Sequence, residues 1–200
     1  MGHSQAARQA THARIVTIAA QRFRMHGLRG IGVADIMKEA GLTVGGFYKH
    51  FASREDLVRE AMAEAFLDTD RWSLRLRADL RRALRAYLGE PHRDRLESSC
   101  GIAAFLNDVG VTDAGSRGMY TARLRQLIDL IASLLPDDGG NRQDKAMLVY
   151  CACVGALTLS RAVSDPKLSR ELLNSVADQL MALLETSDHA IAPLLEEEGR

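Results

Sequence analysis

The sequence predicts an all-α protein: an N-terminal three-helix block containing a helix-turn-helix, residues 1–55, and a larger helical body, residues 56–200. Three observations predict it. Apolar residues recur at spacings of three and four along nearly the whole chain, and no run shows the alternation of a strand. The four prolines, Pro91, Pro136, Pro166 and Pro193, all fall where a helix should begin or end. Two short helical segments meet at Gly41, and the second of them is crowded with aromatic and basic side chains.

The elements follow in order. A first helix is expected from about Thr11 to His26, with Ile15, Ala19 and Phe23 on one stripe and Gly27 as its stop. A second covers Val33 to Ala40, turning Ile36, Met37 and Ala40 inward. Thr43 is placed to cap the third, and Ser53-Arg54-Glu55-Asp56 reads as the capped start of a fourth running toward Trp72. The body then predicts helices over 74–88, 95–109, from Asp113 or Ser116 to Leu135, over 143–163, and from Pro166 to about Glu185. Asp165 caps the last, and Pro166 sits at its first position, where a missing N–H costs nothing.

Apolar residues make up 46% of the 200, enough for a sizeable core. The formal net charge is zero, but it is unevenly spread. Residues 1–54 hold eight Lys/Arg against two acids, and the remainder holds 18 bases against 24 acids. A basic block joined to an acidic body suggests a module that meets a polyanion. Chance surface asymmetry is the bland alternative. Cys100, Cys151 and Cys153 form no disulfide framework and fit a reduced compartment. The first 14 residues are polar and resemble no secretory signal. The longest apolar stretch, Ala146 to Leu159, is shorter than the ~20 residues of a membrane span. A soluble, cytoplasmic protein without membrane contact is expected.

The chemistry concentrates in Thr43-Val44-Gly45-Gly46-Phe47-Tyr48-Lys49-His50-Phe51. Gly41 permits a tight turn and Leu42 plugs its corner. Phe47 and Phe51 are four apart, the spacing of two anchors on one helix face. That leaves Tyr48, Lys49 and His50 to project outward. Gly45 and Gly46 carry no side chains, so backbone can approach a groove closely. A helix N-terminus also offers free N–H groups to phosphate.

The pattern Ala19-Ala20-x-x-Phe23-x-x-x-Gly27, Val33-x-Asp35-Ile36, then Ala40-Gly41-Leu42-Thr43-x-Gly45-Gly46-Phe47-Tyr48-Lys49-His50-Phe51-x-Ser53-Arg54-Glu55-x-Leu57 resembles the TetR/AcrR family of bacterial regulators over roughly residues 11–60. The resemblance implies a homodimeric transcriptional regulator, usually a repressor, released from double-stranded operator DNA by a small-molecule effector. It implies no enzymatic activity. Carried over position by position, it implies phosphate contacts at Tyr48, His50 and Arg54, where the family usually has lysine at the last. Groove contacts fall on Thr43, Val44, Gly46 and Lys49, with Gly45 between them. Two departures stand out. Gly46 replaces a frequent Ser or Thr, and Gly32 replaces a residue whose side chain would cap the second helix.

In the body, Ser99-Cys100-Gly101-x-x-Ala104-Phe105-Leu106 and Gly155-Ala156-Leu157-x-Leu159-x-Arg161 resemble a subgroup of the same regulators and name no ligand. Candidates to line an effector cavity are Trp72, Tyr87, Cys100, Phe105, Met119, Tyr120 and Leu124, each of which also reads as ordinary core. The two apolar C-terminal helices are the expected dimer surface, at Ala152, Gly155, Ala156, Leu159, Leu172, Val176 and Leu180. A two-fold pair would set two recognition segments about 34 Å apart, one turn of DNA. Cys100 reads either as a small buried hydrophobe or as a redox- or electrophile-sensing thiol. A thiol enzyme finds no support, because no CxxC and no paired base accompany it. Cys151 and Cys153 point to different sides of a helix, and no histidines have ligand spacing, so neither metal nor cofactor is expected.

Overall fold

The computed structural model describes residues 2–137 and 140–189; the acidic tail Glu196-Glu197-Glu198 and Pro193 lie outside them. The described residues form α1 (Gly2–His26), α2 (Val33–Glu39), a 3₁₀ helix η1 (Val44–Lys49), α3 (Arg54–Ala78), α4 (Leu80–Tyr87), α5 (Glu90–Asp94), a 3₁₀ turn η2 (Leu96–Ser98), α6 (Gly101–Val109), α7 (Ala114–Leu134), α8 (Arg142–Ala162) and α9 (Pro166–His189). No strand occurs among them. They gather into two compact units, Met1–Asp70 with Arg95–Arg123, and Arg71–Asp94 with Leu124–Arg200.

In the first unit, α1 packs on α2, η2 and α6. Its core is the predicted stripe and what that stripe meets: Ile15, Ala19 and Phe23 lie at 0% exposure, with Ile36, Met37, Leu57 and Ala61 equally buried. Each such large apolar side chain contributes about 1.5–3 kcal/mol by leaving water. Gly27 ends α1 at φ 77°, a left-handed conformation that glycine adopts without Cβ strain. Leu28 then becomes a junction. Its side chain is 1% exposed. Its N–H donates to Asp108 Oδ2 of α6 at 2.7 Å, and its carbonyl accepts from Arg54 of α3. Arg24 is a second junction: its buried guanidinium pairs with Asp68 at 2.6 Å and donates to the carbonyls of Ala20 and Ser99. A charge this deep needs every partner, since stripping one typically costs about 3–5 kcal/mol.

In the second unit, α8 packs along α9, α4 against α9 and α5 against α8. Tyr150, Leu76, Leu84, Leu157 and Leu173 are its buried centre. Arg161 caps the end of α5 by donating to the carbonyls of His92 and Arg93, both at 2.9 Å. Asp165 caps α9 through the N–H of Lys167 at 2.8 Å, as the sequence predicts. Asn141 opens α8 in the same way, accepting from Gln143 and Asp144.

Several boundaries differ from the sequence reading. α1 begins at Gly2 rather than Thr11. α3 runs unbroken to Ala78, because nothing near Ser73 stops a helix; the break comes at Asp79, which accepts from Arg82 N–H at 2.9 Å. The helix predicted over 95–109 is instead η2 and α6, split where Ser99 is extended and Cys100, at φ −53° and ψ 118°, also leaves the helical region; α5 precedes them, where the sequence reading placed a stop. Gly101 opens α6 there because a Cβ would lie 3.1 Å from the Phe66 ring. α8 is longer than its apolar run and meets the length and composition of a membrane span, with 44% of that window buried within the chain, as in the core helix of a bundle.

Candidate nucleic-acid interface

The turn that presents η1 is built by backbone bonds. Ala40 N–H donates to Ile36 at 3.0 Å, Gly41 to Lys38 at 3.0 Å and Leu42 to Met37 at 2.9 Å. Gly41 sits at φ 70°, the second position where left-handed backbone is required. Thr43 follows in extended conformation, but its hydroxyl makes no capping bond; the cap is backbone alone, from Gly46 N–H to Thr43 O at 3.0 Å. The segment expected as a recognition α-helix is a 3₁₀ helix of six residues. Two consecutive glycines oppose regular helix by about 1 kcal/mol each, and the tighter turn is common in short pieces.

From η1 to Phe51 the aromatics divide as their spacing predicts. Phe47 and Phe51 are each 3% exposed and stack with centroids 5.3 Å apart. Tyr48 stands edge-on to Phe47, with 76% of its surface open to solvent. Thr43, Val44, Gly45 and Lys49 are also exposed, and Gly46 and His50 are half-buried. A Cβ at Gly46 would meet only ordinary contacts, to Met37 Cε at 3.8 Å and Thr43 Oγ1 at 3.9 Å, so a side chain fits where this chain has none.

The basic residues separate into two sets. Arg22 is locked bidentate to Glu39, both bonds at 2.7 Å, which lowers the Glu39 carboxyl. Arg24 is buried, and Arg54 points into the fold. Arg54 donates to the carbonyls of Leu28 and Ile31, with its guanidinium carbon 5.6 Å from the Phe23 ring centre. Arg8, Arg14, Arg29, Lys38 and Lys49 remain exposed. His50 is the titratable group at the end of η1. Burial pushes its imidazole below the ordinary histidine range, and His12, Arg8 and Lys49 act the same way through their charge. On α1, His12 Nε2 lies 2.6 Å from Glu60 Oε2, and its ring stacks on Phe51 at 4.5 Å. Arg8 donates to the carbonyl of Lys49. Sequence spacing offers no sign of either contact, since they span 48 and 41 positions; the one available hint is the acid-free stretch before Asp35.

The other predicted residues fall as follows. Trp72 and Tyr87 meet in the second unit at 5.0 Å between ring centres, with Tyr150 6.2 Å from Trp72. Leu124 belongs to that unit and is half-buried. Cys100, Phe105, Met119 and Tyr120 belong to the first unit. Phe105 packs on Phe66, and Tyr120 donates to the carbonyl of Ile102 at 2.9 Å. Cys100 is buried, and Met119 is half-buried. Of the residues expected at a dimer surface, Leu159 is 54% exposed, and Ala152, Gly155, Leu172 and Val176 are half-buried. Ala156 and Leu180 are covered by their own chain, at 4% and 5%, and have almost no surface to offer a partner. No cluster able to hold a metal occurs among the described residues.

Known proteins share both the local pattern and the whole fold. The family described as "Bacterial regulatory proteins, tetR family" matches residues 15–61. The HTH-type transcriptional repressor KstR2 of Mycobacterium tuberculosis is 43% identical over 54 residues, which are 27% of this chain and 26% of KstR2. The match therefore spans about a quarter of that relative's length. A TetR-family regulator from Agrobacterium tumefaciens superposes with a TM-score of 0.74 at 18% identity, covering 88% of this chain and 98% of its own. AibR, solved in complex with isovaleryl coenzyme A and operator DNA, superposes at 0.64 with 18% identity over 87% and 97% of the two chains. Residues 15–61 thus match the TetR family of bacterial regulatory proteins, and the all-helical fold is that of solved TetR-family regulators.

Proposed function

We propose that the protein is a transcriptional regulator that binds double-stranded operator DNA as a homodimer, acts as a repressor, and is released by a small-molecule effector. The observation that carries this reading is the division within η1. Phe47 and Phe51 are buried as anchors, while Thr43, Val44, Gly45, Tyr48 and Lys49 stand exposed on a rigid turn. Lys49 can donate to a guanine edge or a phosphate, and Tyr48 and His50 can donate to phosphate oxygens. Arg54 serves this interface from behind, holding the loop after α1 through two carbonyls. A functional boundary near residue 55 divides this DNA-binding block from the body.

The dimer surface in this reading is the apolar face that α8 and α9 leave open. Met147, Leu148 and Leu159 on α8 are 42%, 58% and 54% exposed, and Leu168 on α9 is 42% exposed. Half-buried Ala152 and Gly155 lie between them and permit close helix approach. An apolar strip of this kind on a cytoplasmic protein is normally covered. AibR, solved in complex with isovaleryl coenzyme A and operator DNA, supports the pairing of ligand binding with DNA binding on this fold. Release requires only that the effector favour the conformation that binds DNA less well. Selection of duplexes from a random library by the full-length protein tests the reading. Recovery of a two-fold-symmetric site is expected, and failure to enrich any sequence would overturn it.

A further inference from the structure

Two clefts open between the first turns of α1 and the end of η1. One, of about 240 Å³, is lined by Gln5, Arg8, Gln9, His12 and His50. The other, of about 450 Å³, is lined by Ala7, Arg8, Thr11, Lys49 and His50. Arg8 and His50 border both. Every polar group in the two linings is neutral or basic, and the extra turns of α1 that supply most of them precede the family-matched residues 15–61. Arg8 is fixed in place by its bond to the Lys49 carbonyl. The Nδ1 atom of His50 is buried and has no hydrogen-bond partner. Arg8 and His50 in both linings, with His12 in the smaller cleft and Lys49 in the larger and no acid in either, give the clefts the character of an anion site.

We propose that these clefts form a proton-linked phosphate site, in which Arg8 joins His50 in gripping one DNA backbone phosphate and His50 takes up a proton as the phosphate arrives. The proposal rests on the DNA-binding reading above and deepens it.

The charges around His50 set the direction. Arg8 and His12 face it from α1, Lys49 precedes it on η1, and Glu60 of α3 reaches the site only by bonding His12. In free protein, burial and this positive surround disfavour the imidazolium. An incoming phosphate reverses the balance, because a negative charge at hydrogen-bond distance favours the charged ring. His50 is then more protonated in the complex than in the free protein. Binding must therefore tighten as pH falls between the raised midpoint of the complex and the depressed midpoint of the free protein. Above and below that window the pH dependence vanishes. With one proton taken up per protomer, the affinity changes by at most about tenfold per pH unit per protomer.

Fluorescence anisotropy of full-length protein on the selected duplex, at fixed ionic strength from about pH 5.5 to 8.5, tests this. The wild type should tighten several-fold per unit on acidification, and His50→Gln should flatten the profile. Arg8→Gln should weaken binding by about 5–10-fold and reduce the salt dependence of log K by about one unit per protomer. NMR of the His50 ring should show its titration midpoint rising when duplex is added, a readout that does not depend on how well a variant folds. A wild-type profile that is flat, a His50→Gln profile as steep as wild type, or a midpoint unmoved by DNA would overturn the proposal while leaving DNA binding intact. Wild-type protein that binds no duplex at any pH would overturn the parent reading as well.

Discussion

Removing the carboxylate of Asp108 should loosen the hold of α6 on the N-terminal helices by a predictable amount. Asp108 Oδ2 accepts the Leu28 N–H at 2.7 Å, and Leu28 is 1% exposed. Asp108→Ala leaves that N–H unsatisfied, at a cost of about 1–3 kcal/mol. Asp108→Asn keeps an oxygen in place and should cost about 1 kcal/mol or less. Gly27 supplies a second arm. A Cβ there would fall 2.5 Å from Asp108 Oδ2, on backbone at φ 77°. Gly27→Ala therefore combines left-handed strain of about 1–2 kcal/mol with that overlap. In the Asp108→Ala background the overlap disappears and only backbone strain remains. The double variant should be more stable than the two single losses added together, with a coupling of about 0.5–3 kcal/mol. Equilibrium urea unfolding followed by circular dichroism measures all four proteins; each kcal/mol corresponds to about 2–4 °C in melting temperature at this chain length. Wild-type stability in Asp108→Ala, or strict additivity in the double variant, would refute the reasoning.

Phe47→Ala should destabilise the fold by about 3–5 kcal/mol, read by the same unfolding assay, because the ring is buried and stacks on Phe51. Tyr48→Phe and Lys49→Ala touch exposed groups, so they should leave melting temperature unchanged while weakening DNA binding in an anisotropy titration. Leu148→Glu combined with Leu159→Glu should convert a dimer into a monomer by light scattering, since both side chains are exposed on α8 and are not needed by the protomer core.

The N-terminal block was largely legible in the sequence because its constraints are local. Gly27 and Gly41 stop their helices at the predicted places, and the four-residue spacing of Phe47 and Phe51 places both in the core. What failed locally was helix type. Two glycines in succession weaken an α-helix, and the hydrophobic pattern does not distinguish a 3₁₀ turn from it. The break between α5 and α6 was hidden for a different reason. Ser99 and Cys100 carry no strong local signal for leaving the helix, and the Ser99 carbonyl finds its donor in Arg24, far away in the chain. The cleft beside η1 was equally hidden. Arg8, His12, His50 and Glu60 come together only through the packing of α1 and α3 around Phe51, and no periodicity encodes that meeting.

The central claim is that η1 is presented to a DNA groove by each half of a two-fold dimer. Stoichiometric titration of the full-length protein into a selected duplex, followed by anisotropy over a series of salt concentrations, tests it most directly. Two chains per duplex are predicted, with affinity falling steeply as salt rises and falling further in Lys49→Ala. One chain per duplex, or binding indifferent to both salt and Lys49, would contradict the account.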